Sequence, residues 1–323
     1  MQATEASAIP GPAPKRRLGV AKPRYGEKLI ELSLFLCGMV SVAITAAIVI
    51  SLVGPTIDFF SEVPAADFFF GTVWAPTFSP AEFGVLPIVA GTLMITLWAM
   101  IFAIPLGLGA AIWLSEYARP KQRRVIKPML EVLEGIPTVA YGFFGIVFVL
   151  PLLHDVWTAI PFLPGEPNPV ANVLAAGIIL GIMIIPTVGS VSEDAMSAVP
   201  RGLREAAYGL GANKMQVSTR VVVPAALSGI TAGFVLGFSR AIGETIVVLL
   251  VAGLISDWGT VWNPLEPQQA MTAFIASTGT GDIGTGTITY KTIFAVASVL
   301  FVFTFLVNMV SIRLVNKYRQ KYD

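Results

Sequence analysis

Arg204-Glu205-Ala206-Ala207-Tyr208-Gly209-Leu210-Gly211 leads through a polar segment to Val221-Val222-Val223-Pro224, and both flanks of this stretch are long apolar runs. Its pattern is Glu-Ala-Ala, three residues, Gly211, nine residues, then three valines and a proline. Gly209 and Gly211 are expected to break a first helix, and Pro224 to open the next, where its missing N–H costs nothing. Arg201, Arg204, Lys214 and Arg220 keep the segment in water. An ordered polar elbow wedged between two apolar runs reads as a docking surface for a soluble partner. The plainer alternative is an ordinary basic loop.

Composition sets the class around that elbow. Hydrophobic residues make up 55% of the 323 and charged ones 13%, with a mean hydropathy of +0.76. Most of such a chain lives in lipid. The single cysteine, Cys37, excludes an intrachain disulfide and any cysteine metal cluster. It sits in an apolar run and reads as a small core hydrophobe.

From the N-terminus, residues 1–28 form a basic, Pro/Ala-rich tail expected to be disordered. Leu29–Val53 is the first expected span, since it is too long for the apolar region of a cleaved leader and meets the roughly 20 residues a crossing needs. Residues 54–84 are expected as an external loop, and their aromatics, including Phe68, Phe69, Phe70 and Trp74, as an interfacial belt. Five further spans are expected over 85–114, 135–153, 170–192, 221–256 and 292–312, ahead of a tail at 316–323. The result is an all-α membrane protein with six transmembrane helices. Lys and Arg cluster before the first span, between Arg119 and Lys127, between Arg201 and Arg220, and after Ile312, which accounts for 19 of the 21 basic residues. Residues 54–84 and 154–169 contain none. By the positive-inside rule both termini and the elbow at 201–224 are cytoplasmic.

Within the apolar runs, Arg240-Ala241-Ile242-Gly243-Glu244 stands out. Arg240 and Glu244 are spaced i, i+4 and are expected to share a helix face within reach of each other. Arginine at a helix centre costs about 2.5–3.5 kcal/mol on insertion scales, so it is expected to face the protein interior or an aqueous path. Its planar fork of donors matches two oxygens of a tetrahedral oxyanion; the alternative is a buried pair that only fixes packing. The 36 residues from Val221 to Ser256 would span roughly 54 Å as one helix, so a tilt, a protrusion or a break at Gly243 or Gly253 is expected. Thr92, Thr96, Thr138, Tyr141, Thr187, Ser190 and Ser239 are further candidates for a polar path, though each could equally bond a helix carbonyl.

Four stretches of the sequence resemble a known family. The elbow resembles the EAA signature of bacterial ABC-importer permeases, with valine for the terminal Ile and Leu. Phe83-Gly84-Val85-Leu86-Pro87, Glu134-Gly135-Ile136-Pro137-Thr138 and Arg240-Ala241-Ile242-Gly243-Glu244-Thr245 resemble the PstC-type permease subunit of the phosphate-specific ABC importer. The resemblance covers about residue 27 to the C-terminus. It implies a type I importer (MetI-like) permease fold with its core at 85–315, in a bacterial inner membrane. It implies coupling to an ATPase through Arg204, Glu205, Ala206, Ala207 and Gly211, and a substrate path at Arg240 and Glu244. Implied partners are an ATPase subunit dimer, a second homologous permease subunit, an external phosphate-binding protein and the lipid bilayer, with no nucleic acid and no cofactor. Sulfate and molybdate permeases carry a similar Arg-Ala-x-Gly-Glu pattern, so the motif alone says oxyanion importer. No Gly-x-x-x-x-Gly-Lys-Ser/Thr loop occurs, so the chain is expected not to be an enzyme. Rival classes are an ion-driven secondary transporter, which needs no such elbow, and a scaffolding subunit, which has little reason to keep Arg240.

Overall fold

The computed structural model describes residues 25–318. Its helices are α1 (Tyr25–Glu62), α2 (Ala65–Phe70), α3 (Leu86–Ile112), α4 (Pro120–Glu134), α5 (Thr138–Phe144), α6 (Leu150–Thr158) and α7 (Val173–Ser197). They continue with α8 (Arg201–Gly209), α9 (Lys214–Val217), α10 (Val223–Ala225), α11 (Leu227–Gly243), α12 (Ile246–Val251), α13 (Met271–Gly279) and α14 (Ile288–Tyr318). A two-residue antiparallel pair, β1 (Trp74–Ala75) with β2 (Glu82–Phe83), sits between α2 and α3. Among the described residues, five helical stretches are long and apolar enough to cross a membrane, and a sixth follows if the bent pair Lys214–Ala225 and Leu227–Gly243 is taken as one span. Of the described residues, those up to Ser51 form one compact unit and those from Leu52 a second.

Several expected boundaries shift. The first span starts at Tyr25 and runs on to Glu62, carrying Pro55 inside it, and Cys37 on it is exposed rather than part of a core; the rest of the expected N-terminal tail lies outside the described residues. The stretch 54–84 is therefore only partly loop, comprising the end of α1, then α2, then the β1–β2 pair. Its aromatics divide: Phe69 and Phe70 are exposed, as a belt requires, and Phe68 and Trp74 are not. Phe59, Phe68 and Trp74 are buried together with Phe274 of α13 and Val296 of α14, and Trp74 meets the Phe274 ring edge-on at 4.8 Å. Burying large rings against one another removes more apolar surface from water than an exposed belt would. The basic stretch 119–134 is an amphipathic helix, α4, with no buried residue. The last helix continues to Tyr318, and the remainder of the expected C-terminal tail lies outside the described residues.

The principal core lies where α3 and α7 pack along their length, joined by α5 and α12. Ala99, Ile179, Leu180, Met183, Val247 and Val251 are fully buried there. Lipid supplies no hydrophobic drive between helices, so close backbone approach through small residues has to hold such a pair. Gly177 and Gly181 of α7 provide it: a Cβ at Gly177 would stand 2.5 Å from the Trp98 Cβ, and one at Gly181 2.9 Å from the Phe102 Cβ. Gly177→Ala is expected to force the pair apart and cost about 1–3 kcal/mol, as overpacked cores do. Thermal unfolding of the purified protein in detergent checks this, with Gly109→Ala as the control, since a Cβ at Gly109 meets nothing within 4 Å. Equal unfolding temperatures for the two variants would contradict the packing argument.

Candidate functional site

The expected long span over 221–256 is three pieces, and the breaks decide where its charges go. Residues 218–222 form a π-helical turn leading into α10, and the axis then bends by 71° into α11. Proline at the first turn of α10 cannot continue the preceding hydrogen-bond ladder. α11 ends at Gly243, where Glu244 adopts an extended backbone (φ −68°, ψ 134°). After α12, Gly253 takes φ +94° and turns the chain back.

That break separates Arg240 from Glu244, so the expected i, i+4 ion pair does not form. The ion pair of Arg240 is with Glu134, the last residue of α4, whose Oε1 accepts from Arg240 Nη1 at 2.8 Å. Thr187 of α7 closes the group: its hydroxyl donates to Glu134 Oε1 at 2.8 Å and accepts from Arg240 Nη1 at 2.9 Å. The Arg240 and Glu134 side chains are 28% and 38% exposed, so the guanidinium is sheltered and still reachable. Tyr141, one helix further on, donates from its hydroxyl to the Leu133 carbonyl at 3.0 Å and pins the chain beside Glu134. Three elements distant in sequence thus converge on one cation.

Glu244 has a different employment. Its Oε1 accepts from the backbone N–H of Ile246 at 3.1 Å and of Val247 at 3.3 Å, satisfying open donors at the start of α12. Its carbonyl accepts from the Thr272 hydroxyl at 2.7 Å. The residue is buried and acts as the joint between α11 and α12. Of the other polar candidates, Thr92 and Thr96 bond carbonyls one turn back in α3. Ser239 donates to Asn308 Oδ1 at 2.7 Å.

In the elbow, α8 carries Arg204 to Ala207 and ends at Gly209, and Gly211 turns the chain at φ +83°. Asn213 caps α9 by accepting from the Gln216 N–H, and the Gln216 side chain accepts from the Asn213 N–H in return. Glu205 and Ala206 are exposed, while Ala207 packs against a small core of Ala111, Met196, Val199, Val217, Val222 and Ile230. Arg204 points inward. It donates to the carbonyls of Val199 at 2.6 Å and Met196 at 2.8 Å, and to Glu116 Oε1 at 2.9 Å. Glu116 lies in the π-helical turn 113–117 that ends the α3 span, and its side chain is 5% exposed. One guanidinium therefore ties α8 to the ends of both core helices. Beside it, fully buried Glu193 of α7 is met by Arg123 and Lys127 of α4. Burial works against the Lys127 charge, but the hydrogen bonds its ammonium donates to Asp194 and Glu193 prevail and hold its pKa above the ordinary lysine value.

A helix bundle with a bent span, a half-sheltered guanidinium among three of its elements and a polar helical elbow tied to its two core helices has the architecture of a membrane transport permease. Residues 103–317 match the family model described as binding-protein-dependent transport system inner membrane component. The chain belongs to this family of ABC-importer permease subunits. It is 33% identical over 272 residues to the probable ABC transporter permease protein YqgH of Bacillus subtilis strain 168, with 84% of each chain covered. It is 35% identical over 246 residues to the phosphate transport system permease protein PstC of Mesorhizobium japonicum, covering 72% of this chain and 73% of the other. Among solved structures, it shares its fold with the inward-facing MetNI methionine ABC transporter at a TM-score of 0.52 and 19% identity, over 73% of this chain and 96% of that one.

Proposed function

We propose that this chain takes inorganic phosphate across a bacterial inner membrane as a permease subunit driven by a separate ATPase. The observation that carries the reading is the Arg240 fork: Nη1 alone is engaged, by Glu134 and Thr187, while among the described residues no partner stands at Nη2 or Nε. A guanidinium held by one edge can offer the other to a tetrahedral oxyanion. Partial neutralisation by Glu134 lowers the cost of the empty state and keeps the anion from binding too tightly to leave. The similarity to a phosphate transport system permease supports phosphate over other oxyanions.

In this reading the elbow and both termini face the cytosol, in keeping with the basic clusters on alternate loops. The exposed face of α8 at Glu205 and Ala206 meets the ATPase dimer, and Gly211 shapes the turn behind it. A second homologous permease subunit completes the pore, and an external phosphate-binding protein delivers substrate. Closure of the ATPase dimer pushes on α8, and the tie through Arg204 carries the push into α3 and α7. Glu244 contributes at the hinge between α11 and α12.

Uptake of labelled phosphate, sulfate and molybdate by the reconstituted complex tests the substrate. ATP-dependent uptake of sulfate or molybdate in preference to phosphate overturns the assignment. Glu205→Lys reverses an exposed charge without touching the core, so the permease is expected to insert normally but to lose co-purification with the ATPase and ATP-driven uptake. Full uptake by that variant removes α8 as the contact.

A further inference from the structure

We propose that Glu134 is a selectivity residue: it admits to Arg240 only those tetrahedral oxyanions that carry a proton. The proposal rests on the reading of the Arg240 site as an oxyanion path and asks which oxyanions that path accepts. An ionised carboxylate is an acceptor with no proton to give. At this site the Thr187 proton is already directed at Glu134 Oε1, 2.8 Å away, and the Thr187 oxygen already accepts from Arg240. An anion that approaches the open edge of the Arg240 fork therefore meets donors from the guanidinium and, beside them, the Glu134 carboxylate. Sulfate and molybdate, fully deprotonated near neutrality, present lone pairs to a carboxylate and are repelled. Inorganic phosphate keeps at least one proton, and its P–OH can donate where the others cannot.

Such discrimination works through a repulsive element as well as an attractive one, and it needs a carboxylate that cannot swing away. The Tyr141 hydroxyl on the Leu133 carbonyl holds the neighbouring residue at 3.0 Å, and Glu134 itself is bonded to two side chains. Glu244 does not play this part, because it is buried and its carboxylate caps the start of α12 rather than standing beside Arg240. With 38% of its side chain exposed, Glu134 remains reachable by an entering anion.

The test isolates the permease from the selectivity of any delivery protein. The assembled complex, purified without the external binding protein, is mixed with inorganic phosphate, and broadening of the 31P resonance reports binding. For the wild type, about a tenfold excess of arsenate, which carries a proton, is expected to relieve the broadening, and the same excess of sulfate to leave it unchanged. In Glu134→Gln, sulfate is expected to relieve at least half of it, and Glu134→Asp, which keeps the charge, to exclude sulfate again. Sulfate competing equally well with the wild type overturns the proposal whether or not the variants assemble. So does continued exclusion of sulfate by Glu134→Gln, or an unbroadened phosphate resonance with the wild type. Arg240→Gln separates the two readings: broadening equal to the wild type's in that variant removes the oxyanion site itself.

Discussion

Arg240→Gln is expected to lower ATP-driven phosphate uptake by about ten- to a hundredfold while the complex still assembles. Glutamine ends two bonds short of Nη1 and gives up Glu134 and Thr187, but Glu134 is 38% exposed and can be hydrated, and the packing of α11 on α7 and α3 does not rest on that pair, so the bundle is expected to persist. The substitution removes the permanent charge and the second edge of the fork, and a hydrogen bond to a charged group contributes about 1.5–3 kcal/mol. Each 1.4 kcal/mol corresponds to a tenfold change, which sets the range. Assembly is read by co-purification and transport by labelled uptake at saturating ATP. Uptake within twofold of the wild type would leave Arg240 as a packing residue. Arg240→Lys is informative beside it: the charge persists but the planar fork does not, so intermediate uptake is expected.

The second large effect is expected from Arg204→Ala. Arg204 is 17% exposed and Glu116 5%, so truncation leaves a nearly buried carboxylate whose one remaining partner among the described residues is the Ser115 hydroxyl, 2.9 Å from its Oε1. It also leaves the Val199 carbonyl without its Arg204 donor and takes one donor from the Met196 carbonyl, which keeps the Val199 N–H at 3.2 Å. Removing one member of a buried pair costs about 3–5 kcal/mol, and partial solvent access to Arg204 places this case near the lower end. The core of α3 and α7 does not depend on Arg204, so the loss is expected to be local: faster proteolysis within 201–213, an intact bundle, and ATP hydrolysis that no longer drives uptake. Removing both partners in Arg204→Met, Glu116→Leu is expected to recover stability without recovering transport. Coupled transport by Arg204→Ala would show that α8 is held by its apolar contacts alone.

Some of this was legible in the chain and some was not, for identifiable reasons. Apolar runs of the length a bilayer requires are a one-dimensional signal, which is why the helical membrane class could be read from composition and length. Gly243 and Gly253 were candidate breaks because a continuous helix from 221 to 256 is too long for the hydrocarbon core. Arg240 was conspicuous because charge is rare in such runs. Glu134 was not, because a glutamate at the end of a basic stretch looks solvated wherever it lies. The i, i+4 spacing of Arg240 and Glu244 pointed to the wrong partner, since spacing implies contact only while the helix continues, and α11 stops at Gly243. Arg204 stood within the signature stretch, but nothing around it names Glu116, 88 residues earlier.

By itself, then, the order of residues determined that this protein is a bundle of membrane helices carrying a polar elbow and one intramembrane cation, because hydropathy, turn chemistry and charge are local properties. Which carboxylate faces that cation, and which helices the elbow grips, was decided only in three dimensions. Those contacts join α4, α7 and α11, and α8 with the end of α3, and they follow from where helices stop and bend rather than from any spacing along the chain.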